Sequence, residues 1–153
     1  MNAQFTCFDN LTNQALQIYN NLASRKWLKI FLSILSGRSY HLPSLDKVTG
    51  HQSVQSSYYE GAHTIDIRQI VGSENRSEDF DDGFTPLKRE SRDRWVSITR
   101  AFLQGYSLPP VEVIQIDNEY YVRDGHHRIS VAKTLSQRFI DAEIISMQRK
   151  AIL

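Results

Sequence analysis

The chain has 153 residues, 41% of them apolar and 23% charged, with a formal net charge of +1. That is room for one domain with a real core plus a small extension, in the composition range of ordinary soluble globular proteins. The near-zero charge excludes a global pull toward nucleic acid or membrane, and a single cysteine, Cys7, excludes a disulfide framework or thiolate metal cluster.

The periodicity predicts a helix over 11–36, with a break near Asn20-Asn21. Leu11, Leu16, Ile18, Tyr19, Leu22, Leu28, Phe31, Leu32 and Leu35 form one wide apolar stripe, and Arg25, Lys26, Lys29 and Arg38 lie on or near its polar side. Gly37 is the expected stop. Within this helix the run Trp27 to Leu35 is interrupted by Lys29 and is far too short to span a bilayer. No signal peptide is recognisable, so a cytoplasmic protein without a membrane partner is expected. Residues 37–62 are polar and contain Pro43, Gly50 and Gly61, which reads as a linker. The expected division is therefore a helical extension with linker over 1–62 and a compact domain over 63–153.

That domain is expected to open with a short strand at Thr64 to Ile67, followed by an acidic loop from Glu74 to Gly83. Thr85-Pro86 supplies an N-cap hydroxyl and a first-turn proline, predicting a helix from there to Gly105 with Trp95, Ile98 and Phe102 on one face. Val111 to Ile116 carries apolar residues in both alternation sets, the pattern of a strand buried on both faces. Asp117-Asn118 turns it into a second strand, Glu119 to Val122. A helix over 126–136 and a strand over 139–145 complete an α+β domain with a small mixed sheet and flanking helices.

The chemistry concentrates between Tyr120 and Lys133. An Asp124-Gly125 corner leads into a helix whose first turn holds His126, His127 and Arg128. The free N–H groups and partial positive charge of a helix N-terminus make this a candidate anion site. Arg128, Val131 and Leu135 share a helix face, so the guanidinium points along the core side and needs either a bound anion or a carboxylate such as Asp124 or Glu112. Adjacent histidines diverge by about 100° on a helix, so no metal site is expected there. His127, nearer the Arg128 face, is the candidate for phosphate contact or proton transfer, and an exposed position suits His126. Glu74, Glu78, Asp79, Asp81 and Asp82 are candidates for a general base or Mg²⁺ ligands, with Glu78 and Asp79 the pair to test. Arg89, Arg92, Arg94 and Arg100 alternate with Glu90 and Asp93, a pattern of intrahelical ion pairing that leaves Arg92 or Arg94 free to face a cleft.

Three segments together resemble the ParB/sulfiredoxin-like superfamily, over roughly residues 63–147. They are Ile65-Asp66-Ile67-Arg68-Gln69-Ile70 with Glu78-Asp79-Phe80-Asp81, Leu108-Pro109-Pro110-Val111-Glu112-Val113, and Val122-Arg123-Asp124-Gly125-His126-His127-Arg128-Ile129-Ser130-Val131-Ala132. The resemblance implies that fold, with nucleotide phosphates held by Asp124, Gly125, His126, His127 and Arg128, and ATP or CTP with Mg²⁺ as the expected cofactors. It also implies a catalytic set of His127, Glu78 and Asp79 if an NTPase or phosphotransfer activity is attached. The chain departs from the family at two positions. His126 stands where sulfiredoxin has its reactive cysteine, which excludes that reductase chemistry. His127 stands where the ParB box has an arginine, and no DNA-reading helix-turn-helix domain is expected after the compact unit. Two other functions compete: a DNA-associated partition-like or regulatory module, using the basic N-terminal helix, and a metal-dependent nuclease. The apolar helix at 11–36 also suggests a homodimer contact.

Overall fold

In a computed structural model the backbone is described for residues 3–37, 39–50 and 54–149. The expected positions Arg38 and the side chain of Cys7 lie outside the described residues. The first element is a long helix, α1 (Ala3–Ser36), which continues through Asn20 and Asn21 without the expected break. Gly37 stops it at φ 64°, a left-handed conformation that glycine adopts without cost. A short helix α2 (Leu45–Thr49) follows.

The segment read as a linker instead becomes a strand. β1 (Val54–Asp66) runs antiparallel to β5 (Phe139–Arg149), with a register shift at Tyr59/Gly61 where Gly61 takes φ 91°. It occupies the edge of the sheet and pairs on one side only. An edge strand largely faces water, so it carries serines and tyrosines instead of an apolar alternation, which is why it resembles a linker.

The remaining strands are β2 (Ile70–Ser73), β3 (Val111–Ile116) and β4 (Glu119–Asp124), in the order β1-β5-β3-β4-β2. β3 pairs antiparallel with β4 across a turn in which Asp117 adopts φ 54°, while β5 joins β3 and β2 joins β4 in parallel. Two helices complete the domain, α3 (Ser91–Leu103) and α4 (His126–Thr134). The architecture is α+β as expected, with a five-stranded mixed sheet.

The central strands are buried on both faces. Val111, Val113 and Val122 join Phe80, Phe84 and Ile129 in the main core, while Ile114, Ile116 and Tyr121 pack with Leu45 on the other side. A third cluster ties α1 to α3 and α4: Ala15, Trp95 and Val131 are buried, and Tyr19 lies with its ring centroid 5.4 Å from that of Trp95. Inside this cluster the Trp95 indole N–H donates to Ser130 Oγ at 2.9 Å, so the large ring is buried without an unsatisfied donor.

α3 begins at Ser91, six residues later than Thr85. The cause is Asp81. Its nearly buried carboxylate accepts from the backbone N–H of Gly83 (2.9 Å) and Thr85 (2.6 Å), while Asp81 N–H donates to Thr85 O (3.0 Å). Phe80 then bridges Pro86, and Leu87 N–H donates to Asp79 O. The backbone at 85–87 is committed to this loop before it can start a helix.

Gly72 marks a tight crossing. A Cβ there would stand 2.5 Å from the Pro43 carbonyl oxygen and 2.7 Å from the Tyr121 ring. Because Pro43 O also accepts the Ser73 N–H at 2.9 Å, the carbonyl is not free to retreat. Gly72→Ala is expected to destabilise the fold by about 1–3 kcal/mol, the usual cost of overpacking. Urea denaturation would show this as a lower midpoint at unchanged slope.

Candidate functional site

Of three consecutive residues at the start of α4, two are buried against Phe80 and the third turns the other way. Gly125 precedes them at φ 97°, as the left-handed turn from β4 requires. A Cβ on Gly125 would lie 2.6 Å from Val111 Cγ1 and 3.1 Å from Arg128 Nε. The glycine therefore lets the helix start press against β3, and the space beside it is already filled.

His126 faces inward, with 2% of its surface exposed, whereas an exposed position had been expected. Ser73 Oγ, at the end of β2, accepts from the N–H groups of Arg76 (2.9 Å) and Asn75 (3.3 Å). Its hydroxyl proton is thus left to donate to His126 Nε2 at 2.8 Å, which fixes the imidazole as the neutral Nδ1–H tautomer. The ring stacks on Phe80 at 5.5 Å between centroids. Burial, then the Arg76 guanidinium, pushes its pKa down to about 4.

His127 is 5% exposed and meets Phe80 edge-on at 5.2 Å. Its Nε2 is buried and has no hydrogen-bond partner. Burial, then the charges of Arg76 and Arg94, lowers its pKa to about 4. Arg76 lies 5.5 Å over the Phe80 ring and is ion-paired with Asp79 at 2.8 Å. Arg94, exposed on α3, has no salt bridge among the described residues. A buried polar nitrogen left unpaired costs stability unless something occupies it. Here the charges of Arg76 and Arg94 act on the ring, opposed by Asp79, the ion-pair partner of Arg76.

Arg128 turns to the other side. One guanidinium nitrogen donates to the carbonyls of Pro109 (2.8 Å) and Pro110 (2.6 Å), and the other to Asp124 Oδ2 (2.5 Å). Of the carboxylates weighed as partners, the structure pairs Arg128 with Asp124, one helical turn earlier. The side chain also lines a cavity of about 230 Å³ with Phe102, Tyr106 and Leu108. Its environment is distinct from that of His127, so the two do not converge on one point.

The acidic loop is likewise divided among cations of this chain. Glu74 makes a two-pronged pair with Arg123 at 2.8 and 2.9 Å. Asp79 binds Lys88 at 2.6 Å as well as Arg76. Burial raises its pKa, but the hydrogen bonds from Lys88 and Arg76 outweigh it and leave the carboxyl lowered overall. Asp81 and Asp82 share Lys29. Glu78 is exposed, with His41 Nε2 at 3.5 Å, and is the carboxylate of the expected catalytic pair that remains open to solvent. Among the described residues no three His, Cys, Asp or Glu side chains gather as a metal-holding group, and no helix is long and apolar enough to cross a membrane.

Sequence reasoning singled out the first turn of α4 and offered Arg94 as a cleft residue. It missed Ser73, Arg76 and Phe80, which reach the turn only because β2 lies beside β4. The sequence signal available for them was slight: a glycine-serine pair ending a short apolar run before the acidic loop.

No family model matches the chain, and no curated protein matches it. Among solved structures, sulfiredoxin from Arabidopsis thaliana is similar, with 18% identity and a TM-score of 0.41. The overlap covers 54% of this chain and 82% of that one.

Two outcomes follow from this geometry. Arg128→Ala is expected to cost about 0.5–1.5 kcal/mol by removing hydrogen bonds to two carbonyls and a carboxylate, and Arg128→Lys is not expected to restore it, since one ammonium cannot replace the planar fork. Chemical denaturation of the two variants checks this. The histidines also set an acid limit. Their folded pKa of about 4 lies below the ordinary 6.5, so the unfolded chain binds protons first. The stability contributed by the neutral rings is complete above 6.5 and is lost as pH falls toward 4. Thermal melts should show Tm falling across that window, with a shallower fall in His127→Gln.

Proposed function

We propose that the chain binds the phosphate of a nucleotide, ATP or CTP, against His127 at the first turn of α4. The observation that carries this reading is the buried, unpartnered Nε2 of His127 beside the charges of Arg76 and Arg94. With its pKa near 4, His127 is neutral at pH 7 and serves as an N–H donor, so the positive charge comes chiefly from Arg94, since Asp79 offsets Arg76. The start of α4 adds its share. The first i to i−4 hydrogen bond recorded at this end runs from Ile129 N–H to Gly125 O, and the earlier amides and the helix dipole favour an anion nearby. The resemblance of the Asp124 to Arg128 box to nucleotide-binding relatives points the same way.

Arg128 supports this site from behind by holding Pro109 and Pro110 to the helix start. Mg²⁺, where it takes part, would arrive on the phosphate oxygens, since Glu74, Asp79, Asp81 and Asp82 are engaged with lysines and arginines. A turnover step would draw on exposed Glu78 as base, since Asp79 is tied to Arg76 and Lys88.

Thermal shift with ATP, ADP, CTP and GTP, with and without Mg²⁺, tests the reading. A nucleotide present at 100 times its dissociation constant adds about 2.7 kcal/mol to stability, a clear rise in Tm. Arg94→Ala should weaken that nucleotide about 10- to 100-fold, the range for loss of a charged hydrogen bond. No shift with any nucleotide, or an undiminished shift in Arg94→Ala, would refute the assignment.

A further inference from the structure

α1 carries two apolar faces on opposite sides. Over its first part, Ala15 is buried and Tyr19 and Leu22 pack into the Trp95 cluster. The same side is continued by Lys26, whose Nζ donates to Leu87 O at 2.7 Å, and Lys29, which pairs with Asp81 at 3.2 Å. The spacing 15, 19, 22, 26, 29 keeps one line along a helix. At about 100° per residue, Trp27, Leu28, Phe31, Leu32, Ile34 and Leu35 fall on roughly the reverse side. All of these are exposed, Trp27 and Leu35 by 77% and Phe31 by 63%. The sequence had suggested one wide stripe; the structure divides it into an inner face covered by α3 and an outer face covered by nothing in the described chain.

We infer that this outer face of α1 is a self-association surface that pairs with the same face of a second copy in an antiparallel helix contact. Leu28, Phe31 and Leu35 follow the 3-4 spacing of a helix-packing seam, with Phe31 near its middle, where a two-fold axis would bring a residue against its own copy. Lys29 is the one charged residue between Trp27 and Ser36, and it is held on the opposite side, so the face meets its copy without like-charge contact. Full coverage would remove roughly 800 Å² per copy from water, the per-partner size of a standard stable interface. An exposed patch of that extent is beyond what monomeric surfaces usually present. A lipid surface is the weaker occupant, because two of the helix's cations, Lys26 and Lys29, are already bound to the chain's own body.

Sedimentation of the full chain at micromolar concentration tests this. The expected mass is twice 17.7 kDa for the native sequence, and 17.7 kDa for Phe31→Glu/Leu35→Glu with its circular dichroism retained. Both substitutions lie on the solvent side of the helix, so the core contacts of Tyr19 and Leu22 remain. A native chain that sediments as a monomer, or a double variant that stays dimeric, overturns the proposal. Vesicles of phosphatidylcholine and phosphatidylglycerol form the second arm. Flotation of the native chain as a monomer, abolished in the double variant, would assign the face to lipid and overturn the dimer as well.

Discussion

The hydroxyl of Ser73 holds the site together. It accepts two backbone N–H groups from the loop after β2 and gives its own proton to His126. Through that one oxygen, the end of a strand, the start of the acidic loop and the first turn of α4 become mutually fixed. The surrounding geometry depends on it. The loop is brought back over α4 so that Phe80 lies against both histidine rings, and Arg76 is placed over Phe80. A buried network of this kind is favourable only when each member is satisfied, and Ser73 and His126 satisfy one another in a single protonation state.

Asp81 has the same role at the far end of the loop. Its carboxylate is nearly inaccessible, yet it holds two backbone N–H groups and the Lys29 ammonium. The loop is therefore stitched at one end to α4 and at the other to α1. Between those anchors the loop's charges are largely neutralised within the chain, Asp79 by Arg76 and Lys88, while Arg94 on the neighbouring helix has no salt bridge among the described residues. The excess positive charge beside His127 arises from that mismatch and not from the chain's overall charge of +1.

The hairpin β3–β4 and helix α4 were legible because local rules decide them: two-sided apolar strands, an Asp-containing turn, and a glycine at the helix entrance. β1 was not, since an edge strand facing water lacks the alternation by which strands are recognised. The start of α3 was misplaced because Thr85-Pro86 carries a good capping signal that a distant carboxylate overrides. At the site, helix geometry set His126 and His127 apart but did not show that both rings would be buried against Phe80, the first of them held by a serine. That depended on Ser73, 53 residues earlier in the chain. Arg128 had two candidate types of partner, and the nearer carboxylate, Asp124 at the end of β4, met it.

The opposed faces of α1 make the helix a phase-setting element. The apolar inner residues Ala15, Tyr19 and Leu22 and the outer line are set in phase by the number of residues between Leu22 and Trp27, because an unbroken helix converts sequence count into rotation. One residue added to that short span would turn the outer face by about 100° relative to the sheet, keeping the contacts of Ala15, Tyr19 and Leu22 but carrying Lys29 away from Asp81. The direction in which this molecule presents its outer apolar face is thus encoded as a length, separately from the chemistry of either face.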